Sequence, residues 1–560
     1  MTMINLPYGI DDFRKVRESN CYYVDKTPFV AELLSETFSV NLITRPRRFG
    51  KTLAMSMLAE FFDIRFDSTE LFKGLAVSEM EELCGKWLNK WPVLYLTLKD
   101  IDGETFEDAY NMICFTIASL CEEHRYLLNS RNVSDTDKKR FLRLLEQTGE
   151  KTDIRTSLFV LTRMMKAHYG QDVILLIDEY NVPLAKASDH GYYKEMLDIV
   201  KTFLGMAWKS NPALKFAVVT GCLRIAKESI FTGANNFISN SISDDHYSSC
   251  FGFTEPEVCR MLADAGFSDR LSEMKRWYDG YFFGNTEVYC PWDVINHLRA
   301  LGRKPDAQPG NYWRDTNHNN IIRRFIDVKS NAVNGKFETL LAGGIIREPI
   351  IEDLNYDNAN SSEDYLWSIL YLTGYLTKAP DSGSAGESVS DGMMNLRIPN
   401  EEVKTIFADT VKQWFTDTVE SRDRQEFFEK WWNGNDIDLT KDVTDILFDT
   451  ISYFDYKEDY YHAFLTGLFS GAGYEVKSNS EQGTGRADIV VTDRQNRRVI
   501  IIEAKWSHSE ELLDKECDEA LQQIEKKEYA RKYFTEGYEK ILCYGAAFRG
   551  KRCLIKCKRD

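Results

Sequence analysis

Residues 485–505 constrain this chain more than any other stretch. Gly485-Arg486-Ala487-Asp488 leads into Ile489-Val490-Val491, and after a polar break the run Ile500-Ile501-Ile502 ends in Glu503-Ala504-Lys505. Two β-branched runs this short, parted by polar residues, read as a hairpin. Centring its turn on Gln495-Asn496 sets Asp488 opposite Glu503. Directly opposed residues of an antiparallel pair have Cβ atoms ~5 Å apart, close enough to share a divalent ion. Glu503 and Lys505 are two residues apart and leave the same face of their strand. Two carboxylates for a cation and a lysine for developing phosphate charge are the groups that metal-assisted phosphodiester cleavage needs.

This arrangement resembles the PD-(D/E)xK nuclease superfamily, with Asp488 as the "D" and Glu503-Ala504-Lys505 as the "ExK". The surrounding pattern predicts a helix from Glu458 to Ser470 and strands from Tyr474 to Asn479, Ala487 to Thr492 and Arg498 to Ala504. A helix from Glu510 to Tyr533 and a strand from Lys540 to Ala547 follow. That αβββαβ order is the restriction-endonuclease-like core of the superfamily it resembles. Val499 to Ile502 is apolar on both faces, as a central strand must be, so a helix should cover each side of the sheet. The resemblance further implies Glu458 as the first-helix glutamate that assists metal binding, and Gln523 as the glutamine of the helix after the ExK strand. One sequence does not fix helix phase, so Asp459 and Gln522 stand as near alternatives. His462 reads as a helix-packing histidine rather than a base.

The front half carries a second chemistry. Asn41-Leu42-Ile43-Thr44 runs into Arg45-Pro46-Arg47-Arg48-Phe49-Gly50-Lys51-Thr52, and Leu53, Met57, Leu58, Phe61 and Phe62 then follow a helical period. Strand, loop, Gly-Lys-Thr and helix are the context of a phosphate-binding loop, whose amides and helix N-terminus cradle phosphates. Lys51 would reach the β- and γ-phosphates, and the Thr52 hydroxyl would ligand Mg²⁺. The first glycine usual in such loops is Arg45 here. Asp172 to Tyr180 contains an apolar run ending in Asp178-Glu179, as a buried parallel strand ends at its C-terminal edge. Asp178 would hold Mg²⁺ through water and Glu179 would polarise the attacking water. A third strand, Lys215 to Gly221, places Thr220 to sense the γ-phosphate, with Arg224 just beyond.

Leu6-Pro7-Tyr8-Gly9-Ile10-Asp11-Asp12-Phe13, Tyr23-Val24-Asp25-Lys26-Thr27 and the loop from Arg45 to Thr52 are similar to the opening of bacterial AAA-ATPase-like proteins that carry a C-terminal PD-(D/E)xK domain. Ile230 to Asn236, Phe251 to Val258 and Trp277 to Gly284 extend the resemblance over nearly the whole chain. In that family Arg-Pro-Arg-Arg-Phe-Gly-Lys is the usual form of the loop, so Arg45 is a family trait. The resemblance implies a P-loop ATPase domain over 1–250 with a parallel sheet, a lid and mostly helical middle over 251–450, and a nuclease-like domain over 451–560. It implies ATP and Mg²⁺ or Mn²⁺ as cofactors, with Arg48, Gly50, Lys51, Thr52, Asp178, Thr220 and Arg224 at the nucleotide. Asp488, Glu503 and Glu458 would hold the nuclease metal. AAA-type modules often complete their site with a neighbour's arginine, so a homo-oligomer is expected; Arg224 is the intrachain alternative.

In the middle, Thr254-Glu255-Pro256-Glu257 is a capping box that starts a helix. Phe337 to Leu341 and Glu401 to Trp414 read as helical, and Leu370 to Leu376 and Met394 to Ile398 as strands. Asp381 to Ser388 reads as a flexible tip and Asn355 to Ser362 as a loop. A length of 560 residues divides into several cores, and an apolar fraction of 43% is ordinary for a globular protein. No signal peptide or membrane-spanning run is evident, and the twelve cysteines lack a framework spacing, which suits a reducing cytoplasm and no membrane partner. Cys553 and Cys557 read as structural. A net charge of −17 argues against a general nucleic-acid coat protein, but only local charge meets phosphate. The basic tail from Arg549 is either a backbone contact or a solvated terminal strand. The expected activity is an ATP-binding nuclease acting on nucleic acid, DNA in preference to RNA, with defence against mobile DNA as the role that suits the pairing. The alternative is a nucleotide-controlled interaction protein whose nuclease fold binds without cutting.

Overall fold

The computed structural model describes residues 4–225, 230–231, 237–313, 336–337, 339–354, 363–380, 392–409, 424–450, 458–482 and 485–559. The chain divides into two compact units. The first comprises Met1–Thr316, Glu348–Met394 and Pro399–Glu402, and the second Asn317–Arg347, Asn395–Ile398 and Val403–Asp560.

Apolar runs that end in polar residues build the first unit's sheet. Its strands are β1 (Val40–Thr44), β2 (Val93–Thr97), β3 (Val173–Asp178), β4 (Leu214–Gly221) and β5 (Phe237–Asn240), in the order β2-β3-β4-β1-β5 and all parallel. All residues of β1 and β3 are buried, as strands without a solvated face require. Helices α2 (Phe106–Glu123), α3 (Lys151–Tyr169) and α4 (Tyr193–Trp208) bury Ile113, Leu158 and Phe203 in the same core as Leu175 and Ile177. Strand β4 lies between β1 and β3, so the end of the phosphate-loop strand and the acid-bearing end of β3 flank Thr220. Helix α1 (Lys51–Phe62) leaves the loop after β1.

Beyond the sheet, the capping box forms as expected. The Thr254 N–H donates to Glu257 Oε2 at 2.7 Å, and Pro256 sits in the first turn of α5 (Glu255–Ala265). Helix α6 (Pro291–Arg303) shares a second core with it through Val258, Leu262, Val294 and Leu298. The expected strand from Leu370 to Leu376 is instead the end of helix α7 (Glu363–Leu372) and its cap. Gly374, at φ +89, turns the chain, and the Leu376 N–H closes on the Leu370 carbonyl at 3.0 Å. Six near-consecutive apolar residues can be buried all round a helix as well as in a strand, and the glycine cap decides it. Residues 336–337, 339–341 and 401–409 are helical; the rest of the expected Glu401 to Trp414 helix, Asn355 to Ser362 and Asp381 to Ser388 lie outside the described residues.

The second unit is built on a mixed sheet, β6 (Glu475–Gln482), β7 (Gly485–Asp493), β8 (Arg498–Trp506), β9 (Lys540–Arg549) and β10 (Arg552–Arg559), in that spatial order. Strand β8 is central, parallel to β9 and antiparallel to β7. On one face, helix α11 (Leu513–Lys526) packs Ile524 against Val499, Ile501 and Cys543. Gly545 sits beneath it, where an added Cβ would lie 2.3 Å from the Cys517 carbonyl oxygen. The other face holds helices α8 (Arg424–Asn433), α9 (Asp436–Thr450) and α10 (Glu458–Gly471), with Trp431 against Tyr544 and Tyr461 stacked on Phe548. Both faces of the sheet are thus covered, as the apolar β8 demands.

Two details depart from the pattern. The expected helix from Glu510 to Tyr533 stops at Lys526 and restarts as a short helix at Arg531–Thr535. After Leu521 and Ile524 the next inward positions of a continuous helix would be Lys527 and Glu528, which favour solvent; Glu528 adopts φ +54 and brings Tyr529 inward instead. The basic tail forms β10, an edge strand. Lys556 pairs with Asp514 at 2.9 Å and with Asp518, and Lys558 pairs with Glu525, so these lysines serve neighbouring acids.

Candidate functional site

In the first unit the phosphate loop is shaped by two left-handed residues, Arg48 at φ +71 and Gly50 at φ +85. Gly50 precedes α1 directly, and a Cβ placed on it would meet nothing within 4 Å, so the backbone there faces open space. Arg45 needs no glycine-like conformation. It is fully buried, and its guanidinium donates to the carbonyls of Thr44 (2.8 Å), Asn240 (3.1 Å), Ser241 (2.8 Å) and His246 (3.1 Å). Burial brings its pKa down to about 10, and nearby Cys250 and Asp244 oppose that fall. Arginine at the first loop position is therefore an internal brace.

Lys51, Thr52, Asp178, Glu179 and Thr220 converge at the strand ends. Thr52 Oγ1 donates to Asp178 Oδ2 at 2.8 Å and Thr220 Oγ1 to Asp178 Oδ1 at 2.6 Å. Burial pushes the Asp178 carboxyl up, as does neighbouring Glu179, while the two threonine hydroxyls and Lys51 counter it. Lys51 Nζ lies 3.1 Å from Glu179 Oε1, donates to the Pro46 carbonyl at 3.0 Å, and is 3.6 Å from Cys222 Sγ. Its burial works against the charge, but Cys222 and Glu179 outweigh it and hold the lysine above its ordinary value. Glu179 itself has a left-handed backbone, φ +54, at the strand exit.

Two further predicted residues have partners of their own. The exposed Arg48 lays its guanidinium over the Trp292 ring, 4.3 Å from the centroid. Arg224 Nε is ion-paired with Asp353 Oδ1 at 2.7 Å, where the two residues' strands pair in parallel. Cys222 was not singled out from the sequence; it lies 171 residues from Lys51, and a single cysteine two positions past Thr220 carries no pattern.

In the second unit the hairpin has the expected register. Ile489 pairs with Ile502 and Asp493 with Arg498, around a turn centred on Gln495-Asn496. Continuing that register places Asp488 beside Glu503, and Asp488 Oδ2 accepts from the Ala504 N–H at 3.0 Å. Lys505 Nζ is 3.4 Å from Glu503 Oε1. Gln523 Nε2 donates to that same oxygen. Gln522 is exposed, which settles the helix phase in favour of Gln523. His462 Nε2 donates to the Asp488 carbonyl oxygen at 2.7 Å, docking α10 on β7 as a packing histidine. Glu458 opens α10; its side chain and that of Asp459 lie outside the described residues.

Glu503 is 1% exposed, and its Oε2 is buried without a hydrogen-bond partner. Burial, then the Asp488 charge, raises its pKa to about 7, against the pull of Lys505. An unpartnered carboxylate oxygen at such depth is costly unless a cation takes it. With Asp488 beside it, the donors are hard oxygens of the kind that suit Mg²⁺ or Mn²⁺. Among the described residues no group of three or more His, Cys, Asp or Glu is arranged to hold a metal, so the carboxylate pair is what the described chain offers.

Comparison with known proteins agrees with both halves. Residues 7–231 match the family model described as predicted AAA-ATPase, and residues 456–558 match the PD-(D/E)XK nuclease superfamily. An uncharacterized protein in the vnfD 5′ region of Azotobacter chroococcum mcd 1 is 27% identical over 99% of this chain and 98% of its own length. No solved structure gives a significant match. The chain thus carries an AAA-ATPase-like domain followed by a PD-(D/E)XK nuclease-superfamily domain, the two families named by the sequence motifs. Among the described residues no helix is long and apolar enough to cross a membrane.

Proposed function

We propose that this chain is an ATP-hydrolysing, metal-dependent nuclease that cleaves phosphodiester bonds, with DNA as its substrate. The observation that carries the reading is the convergence of Asp488, Glu503, Lys505 and Gln523 on one face of the central strand, with Glu503 Oε2 buried and lacking a full hydrogen bond. Asp488 and Glu503 would hold Mg²⁺ or Mn²⁺, which supplies Lewis-acid stabilisation of the phosphoryl oxygens when bound. Lys505 faces the charge that develops on the scissile phosphate. Gln523 keeps the Glu503 carboxylate oriented. In the first unit, Lys51 exchanges its ion pair with Glu179 for nucleotide phosphates. That exchange frees Glu179 to orient water, while Thr52 and Asp178 lie where nucleotide-bound Mg²⁺ is held.

Arg224 is engaged by Asp353, which favours a γ-phosphate arginine supplied by a second copy of the chain and hence a homo-oligomer. An ATP-controlled nuclease of this kind fits defence against mobile DNA in the cytoplasm. The test incubates the purified chain with linear, circular and single-stranded DNA and with RNA, under Mg²⁺ or Mn²⁺, with and without ATP. Asp488→Ala should abolish cleavage and Lys51→Ala should abolish ATP turnover. Cleavage that survives Asp488→Ala refutes the nuclease site, and turnover that survives Lys51→Ala refutes the nucleotide site.

A further inference from the structure

Helix α11 delivers more than Gln523 to the nuclease carboxylates. After Lys526 the chain turns through Glu528 in the left-handed region, an uncommon conformation for a residue with a side chain. The Tyr529 N–H closes this turn on the Ile524 carbonyl at 3.2 Å. The turn drives the Tyr529 ring, 1% exposed, into the core that also holds Val499, Ile501 and Ile524. There its hydroxyl stands within hydrogen-bonding reach of the Gln523 amide and within electrostatic range of Glu503, Asp488 and Lys505. Gln523 in turn donates to Glu503.

An amide side chain with one partner can rotate about its last torsion, and a second partner restricts that rotation. Groups that fix the orientation of a metal-binding side chain typically change metal affinity ~10-fold or more when removed.

We propose that Tyr529 is a positioning residue of the nuclease site. It fixes the Gln523 amide, which holds Glu503 Oε1 and thereby presents Oε2 to the cation. The helix break at Lys526 has the same explanation, since a continuous helix would carry residue 529 away from Gln523. This inference rests on the metal-dependent nuclease reading.

The test measures Mn²⁺ binding to the full chain by titration calorimetry, taking as the nuclease-site signal the part that Asp488→Ala removes. Tyr529→Phe, which deletes one oxygen and keeps the ring, should weaken that signal about 10-fold. Tyr533→Phe, at a second buried tyrosine of the same core, should leave it unchanged. In the Gln523→Ala background, Tyr529→Phe should cause no further loss, because the amide it acts through is gone. Equal affinities for Tyr529→Phe and Tyr533→Phe would overturn the proposal, as would full additivity of Tyr529→Phe with Gln523→Ala. If the native chain shows no Mn²⁺ binding that depends on Asp488, the nuclease reading itself falls and takes this inference with it.

Discussion

Asp279 ends the helix Leu271–Tyr278 in the first unit, within a segment that the resemblance includes, yet it touches neither site. Both its oxygens are buried without a full hydrogen bond, and Lys275 Nζ, 3.8 Å away, is also engaged by Glu255. Burial raises its pKa from 3.8 to about 6, with Glu287 adding to the rise and the Gly280 N–H and Lys275 opposing it. Because the folded value exceeds the unfolded one, the native state holds the extra proton between about pH 4 and 6, and stability falls as pH rises through that window. A shift of about two units at ~1.4 kcal/mol each sets a ceiling near 3 kcal/mol for the penalty at neutral pH. Asp279→Asn removes the charge at nearly constant shape. Since the amide also lacks full partners, the expected gain at pH 7.5 is about 1–2 kcal/mol. Urea unfolding of both proteins followed by tryptophan fluorescence at pH 4, 5, 6 and 7.5 measures it. The gain should shrink as pH falls through 6 towards 4, where the native aspartate is protonated and only the unfolded chain still carries part of the charge. A variant that is less stable at pH 7.5, or a gain that does not change with pH, would refute the burial argument.

Restoring the usual loop glycine with Arg45→Gly should harm the protein: four carbonyls lose their buried donor, and about 3–5 kcal/mol of stability should vanish, read from the first unit's thermal transition. A neutral outcome would show that the brace is dispensable. Thr220→Val keeps the branched shape of β4 but strips Asp178 Oδ1 of its partner, and a loss of ~1–3 kcal/mol of support should cut ATP turnover roughly 10- to 100-fold. Turnover within twofold of the native rate would deny the hydroxyl that role. Gly545→Ala drives a methyl to 2.3 Å from the Cys517 carbonyl oxygen, so α11 must shift, at a cost of ~1–3 kcal/mol. Cobalt or manganese binding that survives at native affinity in that variant would show that the helix position, and with it Gln523, is not critical.

What the chain discloses in one dimension is governed by the range of each interaction. The register that brings Asp488 to Glu503 follows from period-two alternation and a turn at Gln495-Asn496, both local, and the hairpin forms in that register. The buried strand ending in Asp178-Glu179 is equally local. The break at Lys526 was legible in principle, because positions 527 and 528 offer Lys and Glu where a continuous helix needs apolar residues, but the strong period before it masks the interruption. Partners separated by long stretches of chain leave no such trace. Nothing adjacent to Arg224 announces Asp353, and nothing adjacent to Lys51 announces Cys222.

The same distinction separates the two carboxylate sites physically. Asp178 ends its buried strand and Glu503 lies within the central one, and at both burial raises the cost of the charge. At Asp178 each oxygen already accepts a threonine hydroxyl, so a cation there has to compete with Thr52 and Thr220, and nucleotide binding must rearrange hydrogen bonds and the Lys51–Glu179 pair. At Glu503 one oxygen is held by Gln523 and Lys505 and the other lacks a full hydrogen bond, so a cation there would displace a proton rather than a hydroxyl partner. On the proposed reading, a metal at the Asp488–Glu503 pair would disturb fewer hydrogen bonds than a nucleotide-bound cation at Asp178. A nucleotide bound as proposed would change the Lys51–Glu179 pair and the two threonine bonds to Asp178.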